Sequence, residues 1–383
     1  MKVLIGVRRL DKGGAELLEC RLAQYLNQQG VEAHLLAQYN QQQFNGENAS
    51  HTWNLRGIPR IYFFNSKNNI GIVKCLFNLF LLIKKEKYDL VISTNSGLDT
   101  IIGIIKLFVR FKQVIAFHTY INPSILNHYR IKLWAFFVKK ADAYYSITDY
   151  VRNNVIELLK IDASKNRTIY NSIDADVLKQ THLDYSMRRD FSLPDDAKII
   201  LVAGRIEARK GFDLVVEYLQ DLLVQKNVYL VVVGEGYEGN SLEEGLDGFV
   251  STFRKKVKLL GIEKNVLFTG YRHDLYLLMK QADLYVHLAR HEGFGLVLLE
   301  AIAAKIPIIG SNIGGIPEAL KDTPYVPFDL DDKAGILEEA LRLLNMDGRA
   351  KQEMVEKAYE VLDFYKDDRR AREVKELLER VII

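Results

Sequence analysis

The sequence predicts two doubly wound, Rossmann-like α/β domains, each built on a parallel sheet, facing each other across a cleft. Three observations predict this. Short β-rich runs alternate with helical patterns from end to end, the signature of parallel strands joined by crossover helices. The runs are apolar almost without interruption, as strands covered on both faces must be. And 383 residues exceed what one ordinary hydrophobic core organises, at roughly 150 residues per domain.

In the first half, buried strands are expected at Val3–Val7, Ala33–Ala37, Leu90–Ser93, Gln113–Phe117 and Ala143–Ile147. In the second half they are expected at Ile199–Ala203, Val228–Val233, Val266–Thr269, Leu284–His287 and Ile308–Gly310. Helical periodicity lies between them, as in Ala15–Gln29 and Phe212–Gln225. The polar stretch Tyr185–Asp196, which contains Pro194, reads as a linker. The expected organisation is a first domain over 1–184, a linker over 185–196 and a second domain over 197–366. A charged helix over 367–383 is expected to pack back on the first domain.

Composition excludes several classes. Hydrophobic residues are 48% and charged residues 26%, ordinary globular values. Two cysteines, Cys20 and Cys75, cannot build a disulfide framework, and no His/Cys cluster suggests structural zinc. A reducing, cytoplasmic location is the simplest expectation. The apolar run Met1–Val7 is too short for a secretory signal and reads as the first strand. The net charge of +3 hides an asymmetry: residues 1–190 carry 26 Lys+Arg against 16 Asp+Glu, and the remainder 26 against 33. No acid occurs between Asp99 and Asp142, where Lys106, Arg110, Lys112, Arg130, Lys132, Lys139 and Lys140 alternate with aromatic residues. The stretch is either the solvated face of amphipathic helices or a surface facing anionic lipid. Nucleic acid is not expected as a partner, because no helix-turn-helix, zinc finger or RNP-like stripe accompanies the charge.

Four loops after predicted strands carry candidate chemistry. In the first, Gly13-Gly14 precedes a helix, so backbone N–H groups can approach a phosphate. In the second, Gly204 to Gly211, Arg205 and Lys210 offer a guanidinium fork and an ammonium for phosphate, whereas Arg209 reads as solvated. The third, Gly234-Glu235-Gly236-Tyr237-Glu238-Gly239, matches a dinucleotide fingerprint, but its two acids would repel a pyrophosphate. The fourth is the most specific. Glu292-Gly293-Phe294-Gly295-Leu296 opens a helix in which Glu300 follows, and the N–H groups of Phe294, Gly295 and Leu296 are expected to be free donors. Glu300 stands in the apolar run Leu296–Ala304, so it needs a polar partner.

The spacing Glu292/Glu300, the Gly204-Arg205…Lys210-Gly211 stretch, the run Gly314-Gly315-Ile316-Pro317-Glu318 and the Gly13-Gly14 loop occur in that pattern in one family. In these features the chain resembles the retaining glycosyltransferases of GT-B fold in the family 4 group, over essentially its whole length. The resemblance implies that Arg205 and Lys210 hold the donor diphosphate. It implies that Glu300 binds the ribose, and that Glu292 with the amides of Phe294, Gly295 and Leu296 holds the sugar and phosphate. Gly14, with Gly13, would line the diphosphate from the other domain, and Tyr271 joins the substrate-binding set. His118, after the strand Gln113–Phe117, is either a plain loop histidine or the first-domain contact to the donor sugar. Asn171, in Tyr170-Asn171-Ser172, stands where the family has Pro-Asn-Gly, so Tyr and Ser replace Pro and Gly. Arg290 and His291 are unusual cations beside the cleft and are expected to tune donor or acceptor choice.

The expected reaction moves a hexosyl-type sugar from a UDP- or GDP-linked donor to a hydroxyl acceptor, such as a lipid-linked glycan of the cell envelope. Arg205, Lys210 and backbone amides would stabilise the leaving diphosphate, so neither a metal nor another cofactor is expected. The resemblance implies front-face attack, with the leaving phosphate taking the acceptor proton. An anionic membrane surface is the expected docking partner, with peripheral association through lysines and apolar positions of the pattern Ile72–Lys87. The rivals are a soluble transferase acting on a small acceptor, a nucleotide-sugar epimerase of the same fold, a nicotinamide oxidoreductase resting on the glycine loop, and a non-catalytic nucleotide-sugar binder.

Overall fold

A computed structural model describes residues 1–8, 10, 14–37, 55–63, 69–123, 129–173, 186–236 and 248–383, with the side chains of 69–72 and 130 excepted. Gly13, the tail of the third loop from Tyr237 and Tyr185 of the expected linker lie outside the described residues. The chain divides into two units, Met1–Ser172 with Tyr365–Ile383, and Ile173–Phe364.

The first unit holds β1 (Lys2–Val7), α1 (Gly14–Gln28), β2 (Glu32–Ala37), β3 (Ile61–Phe63), α2 (Asn69–Glu86), β4 (Leu90–Ser93) and α3 (Ser96–Ile105). It continues with β5 (Lys112–Phe117), α4 (Tyr129–Val138), β6 (Ala143–Ser146), α5 (Asp149–Leu159) and β7 (Asn166–Thr168). All seven strands pair in parallel, in the order β3-β2-β1-β4-β5-β6-β7. Alternation along β1 explains the two-sided core: Val3 and Ile5 join Cys20, Leu22 and Leu26 of α1, while Leu4 joins Cys75, Leu79, Ile102 and Ile105 on the opposite face. Asn95 and Thr148 cap α3 and α5, accepting from Leu98 N–H at 3.0 Å and Val151 N–H at 3.1 Å. Strands β3 and β7 escape the sequence reading because each is three residues long and only partly buried, so neither builds an apolar run.

The second unit holds α6 (Met187–Asp190), β8 (Lys198–Ala203), α7 (Phe212–Tyr218), α8 (Gln220–Leu223), β9 (Val228–Val233), α9 (Phe249–Leu259) and β10 (Val266–Gly270). It continues with α10 (Leu275–Met279), β11 (Leu284–His287), α11 (Leu296–Ala303), β12 (Ile308–Gly310), α12 (Ile316–Ala319), α13 (Lys333–Leu344) and α14 (Gly348–Glu360). Its five strands run parallel in the order β10-β9-β8-β11-β12. The helix expected over Phe212–Gln225 is broken at Leu219, whose backbone leaves helical geometry (φ -102, ψ 16).

One boundary differs from expectation, and the terminal helix goes where it was expected to. The units part at Ser172/Ile173 rather than within 185–196. Over that stretch Ser186 caps α6, Met187 is fully buried, and the Met187 N–H donates to Gln281 Oε1 at 2.8 Å, so the segment belongs to the second unit. The terminal helix α15 (Asp367–Ile382) belongs to the first unit, where Ala371, Val374, Leu377 and Leu378 join the core beneath α1. No helix among the described residues is long and apolar enough to cross a membrane.

Strand order reverses direction beside β1 and β4 in the first sheet and beside β8 and β11 in the second. Parallel sheets bind ligands beyond the carboxyl ends of strands at such switch points. Both of the most specific motif loops, after β8 and after β11, emerge there.

Candidate functional site

Two glycines fix how the second-unit loops meet. Gly211 has φ +68, and a Cβ there would fall 1.8 Å from the Leu288 carbonyl oxygen, so the loop after β8 lies directly on the segment after β11. Gly314 has φ +63, and its Cβ would fall 2.1 Å from the Glu292 carbonyl oxygen, which accepts from Gly315 N–H at 3.1 Å. Three motifs far apart in sequence therefore converge on the backbone of the segment Leu288 to Glu292.

The Glu292 side chain is held as closely. Lys210 Nζ lies 2.5 Å from Glu292 Oε2, His287 Nε2 lies 3.2 Å from the same oxygen, and Gly293 N–H donates to Oε1 at 3.2 Å. Tyr285 OH stands 3.3 Å from His287 Nδ1, extending the network into the strand. Burial penalises the Glu292 carboxylate, but Lys210 and His287 outweigh it and hold the carboxyl well below its usual range. Burial lowers His287, which favours a neutral imidazole beside that anion.

Phe294 is buried at 1% exposure, and Gly295 turns at φ +88 into α11. No described residue accepts from the N–H groups of Gly295 or Leu296, leaving donors at a helix start where an anion is favoured. Glu300 is half-buried one turn on. Burial first, then the charges of Glu300 and Glu292, push the Tyr285 hydroxyl well above its usual range, which places both acids about the end of β11.

The remaining cations divide. Arg205 is 45% exposed, with Nη1 4.0 Å from Glu207 Oε2. Arg209, expected to be merely solvated, lies with Nε 2.5 Å from Oε1 of the buried Glu207. Arg290, expected to tune substrate choice, is instead clamped in the scaffold: both its Nη atoms donate to Asp213 at 2.7 Å, and Nη1 also reaches the Ala208 carbonyl at 2.7 Å. A guanidinium so saturated has little capacity left for a ligand. Tyr271 follows β10, with its N–H 3.3 Å from Glu235 Oε1 and its ring 4.8 Å from that of His273.

In the first unit, His118 follows β5 with its side chain 8% exposed. Its Nε2 lies 3.1 Å from Glu19 Oε1, and its Nδ1 is buried without a hydrogen-bond partner among the described residues. Glu19 Oε1 also accepts from Tyr145 OH at 2.9 Å and from Arg370 Nη2 at 2.5 Å, and Arg370 Nη1 reaches the Leu18 carbonyl at 3.2 Å. Burial opposes the Glu19 charge, yet Arg370 and His118 hold its carboxyl at about 2. Gly14 opens α1 and is exposed. Asn171 is 3% exposed, with Oδ1 unpartnered among the described residues.

Sequence reasoning missed Glu19, Arg370, Tyr145 and His287. Glu19 left a signal, an acid beside Leu18 and Cys20 on the buried face of a helix, but its partner lies 351 positions away. His287, a polar residue ending an apolar strand, left a similar one.

Comparisons with known proteins bear on this arrangement. The family model "Glycosyl transferases group 1" matches residues 186–361, and "Glycosyltransferase Family 4" matches residues 12–177. N-acetyl-alpha-D-glucosaminyl L-malate synthase of Bacillus anthracis is 29% identical over 244 residues, 61% of this chain and 59% of that protein. The O-antigen biosynthesis glycosyltransferase WclY of Escherichia coli is 25% identical over 304 residues, 72% of this chain and 78% of its own length. Among solved structures, Anabaena HepE in complex with UDP and glucose superposes with a TM-score of 0.80 at 18% identity, covering 99% of this chain and 100% of that one. WaaG, a glycosyltransferase involved in lipopolysaccharide biosynthesis, superposes with a TM-score of 0.71 at 17% identity, covering 96% and 98%. The two-unit architecture of parallel sheets is the GT-B fold of these neighbours.

Proposed function

This chain belongs to the glycosyltransferases matched by the group 1 and family 4 models, and from that premise we propose that it transfers a hexosyl-type sugar from a nucleotide-diphosphate donor to a hydroxyl acceptor. The observation that carries the reading is the convergence of Lys210, Glu292 and the α11 start at the β8/β11 switch point. Breaking a sugar–diphosphate bond leaves charge on phosphate, and Lys210, Arg205 and the amides of Gly295 and Leu296 offer donors for it. Glu292 then holds the sugar and Glu300 the ribose. The HepE neighbours bind UDP and UDP-glucose, which supports a UDP-linked donor. Relatives in O-antigen and lipopolysaccharide synthesis support an envelope glycan as acceptor.

The reading includes retention by front-face attack, with the leaving phosphate taking the acceptor proton, and transfer without a metal because protein cations fill that role. It also includes peripheral docking of the first unit on an anionic membrane. Val73, Phe77 and Leu81 on α2 are exposed at helical spacing, as are Tyr129, Leu133 and Phe136 on α4, and Lys74, Lys84, Lys85, Lys132, Lys139 and Lys140 are exposed on or beside the same helices.

A thermal-shift screen of UDP- and GDP-linked sugars tests the donor assignment. A ligand at 100 times its Kd should stabilise the native state by about 2.7 kcal/mol. A selective shift followed by transfer that survives chelation is expected; no response to any nucleotide sugar would remove the reading.

A further inference from the structure

At the amino ends of β4 and β5 the first unit carries a cleft of about 440 Å³, lined by Ile83, Lys84, Lys87, Tyr88, Asp89, Val109, Arg110, Phe111, Lys112 and Ile382. It lies at the opposite end of the sheet from His118, so the candidate site does not account for it. Cations at a helix C-terminus complement its dipole, which accounts for Lys84 and Lys85 by themselves. It does not account for Arg110, from the segment between α3 and β5, or Lys112, the first residue of β5, both of which line the same cleft.

The lining sets four cationic side chains against one carboxylate. That carboxylate is occupied, since Asp89 Oδ2 accepts from Lys2 N–H at 2.7 Å. Among the described residues Lys84, Lys87 and Arg110 form no ion pair, and Lys112 has a distant one, 3.7 Å to Asp142. Asp142 is itself engaged by Lys106 at 2.5 Å. Lys87 ends α2 in a left-handed turn (φ 53), closing the helix at the cleft margin. The other walls are apolar or aromatic: Ile83, Tyr88 and Phe111 line the cleft from the edge of the core and are themselves largely buried, with the Tyr88 hydroxyl 2.7 Å from His34 Nδ1.

We propose that this cleft binds a phosphate or diphosphate group carried on an apolar or ring-bearing scaffold, at a site separate from the donor site. A single carboxylate would leave most of the cations uncompensated, whereas a multiply charged phosphate matches three ammonium groups and one guanidinium fork. The volume falls in the range of small-molecule sites. The phosphate has two possible carriers, a soluble phosphorylated compound or a membrane lipid. The site does not rest on the donor-site assignment, since none of its residues belongs to the donor site; it shares Lys84 with the face assigned to membrane docking.

Calorimetry with inorganic diphosphate and co-sedimentation with phosphatidylcholine vesicles containing phosphatidic acid separate the carriers, applied to the full chain and to two paired variants. Lys84→Ala with Arg110→Ala removes exposed cations from the cleft; Arg205→Ala with Lys210→Ala removes them from the donor loop. Diphosphate binding that survives the donor-loop pair and weakens at least a hundredfold in the cleft pair establishes a soluble ligand. Vesicle binding lost in the cleft pair but kept by Lys74→Ala with Lys85→Ala, exposed on the same helix outside the cleft, establishes the lipid carrier, whereas equal loss in both pairs without a diphosphate effect overturns the proposal. If the cleft pair binds both probes as the parent does, the proposal is overturned, whatever the donor-loop pair shows. A cleft pair with unchanged thermal unfolding excludes misfolding as the cause of a loss; if it unfolds early, Arg110→Lys, which keeps the charge, must restore binding or the proposal fails.

Discussion

Glu19 in the first unit and Glu292 in the second are both buried carboxylates whose ionised form the surroundings enforce, but their partners differ in kind. Glu19 is met by Arg370, 2% exposed, on a helix that arrives from the other end of the chain. Glu292 is met by Lys210, 14% exposed, on a loop whose neighbours Arg205 and Arg209 face solvent. The first arrangement closes a core and braces His118 from behind. In the second, an ammonium on a flexible stem stands at a strand end, where it can exchange a carboxylate for an incoming phosphate. The same chemistry serves as a fastener where both partners are sealed, and as a ligand-ready pair where one stays accessible.

Removing the sealed partner should have the largest effect. Arg370→Ala leaves Glu19 buried without its guanidinium and should cost about 3–5 kcal/mol. Trp134 is buried in the first unit, so urea unfolding followed by tryptophan fluorescence reports on it. A loss under about 1 kcal/mol would erase the contrast with Glu292.

Asp99 sharpens the comparison as a buried acid with no ion pair among the described residues. Burial raises its carboxyl to about 7, despite hydrogen bonds from Ser93 and Trp134. The folded state thus holds that proton more tightly than the unfolded chain. The resulting stabilisation is full below about pH 4 and is lost as pH rises through about 7. Asp99→Asn removes the charge and should gain on the order of 3 kcal/mol at pH 8, with no gain at pH 4. Equal stability of variant and parent across that range would show that Asp99 titrates normally.

In the second unit the effects should fall on binding. Arg205→Ala should weaken nucleotide diphosphate affinity tenfold or more, since a charge-assisted contact is worth roughly 1.5–3 kcal/mol. Calorimetry showing unchanged affinity would free Arg205 from that role. The smallest binding effect is expected at Glu292: Glu292→Gln should spare the bare nucleotide and depress turnover, whereas Glu300→Gln should weaken the nucleotide itself. Equal losses of nucleotide binding in both would abolish the division between sugar and ribose.

Ten strands were legible because they are predominantly apolar runs, most of them buried along their length, even the three-residue β12, and the motif loops because they fall where those runs stop. The terminal helix was legible as a charged amphipathic pattern expected to return to the first domain, but the residues it meets there were not, because an apolar stripe does not name the side chains that cover it. The departures cluster at polar contacts. Arg290 reads as substrate-facing until Asp213 appears beside it, and Arg209, solvated as expected, also meets Glu207. A guanidinium's environment depends on residues brought near by folding, and no local rule supplies them.

The sequence by itself determined that this chain builds two parallel α/β sheets, with Glu292, Glu300, Arg205 and Lys210 on loops leaving their strands. Hydrophobic periodicity and glycine placement are local properties, and they suffice for that. Only the tertiary structure decided that Lys210 and His287 share one oxygen of Glu292, and that the boundary between units lies at Ser172. It also decided that Arg370 reaches across 351 positions to Glu19 beside His118. Contacts between distant segments are fixed by strand order and helix packing together, and a buried charge finds its partner only after both are set.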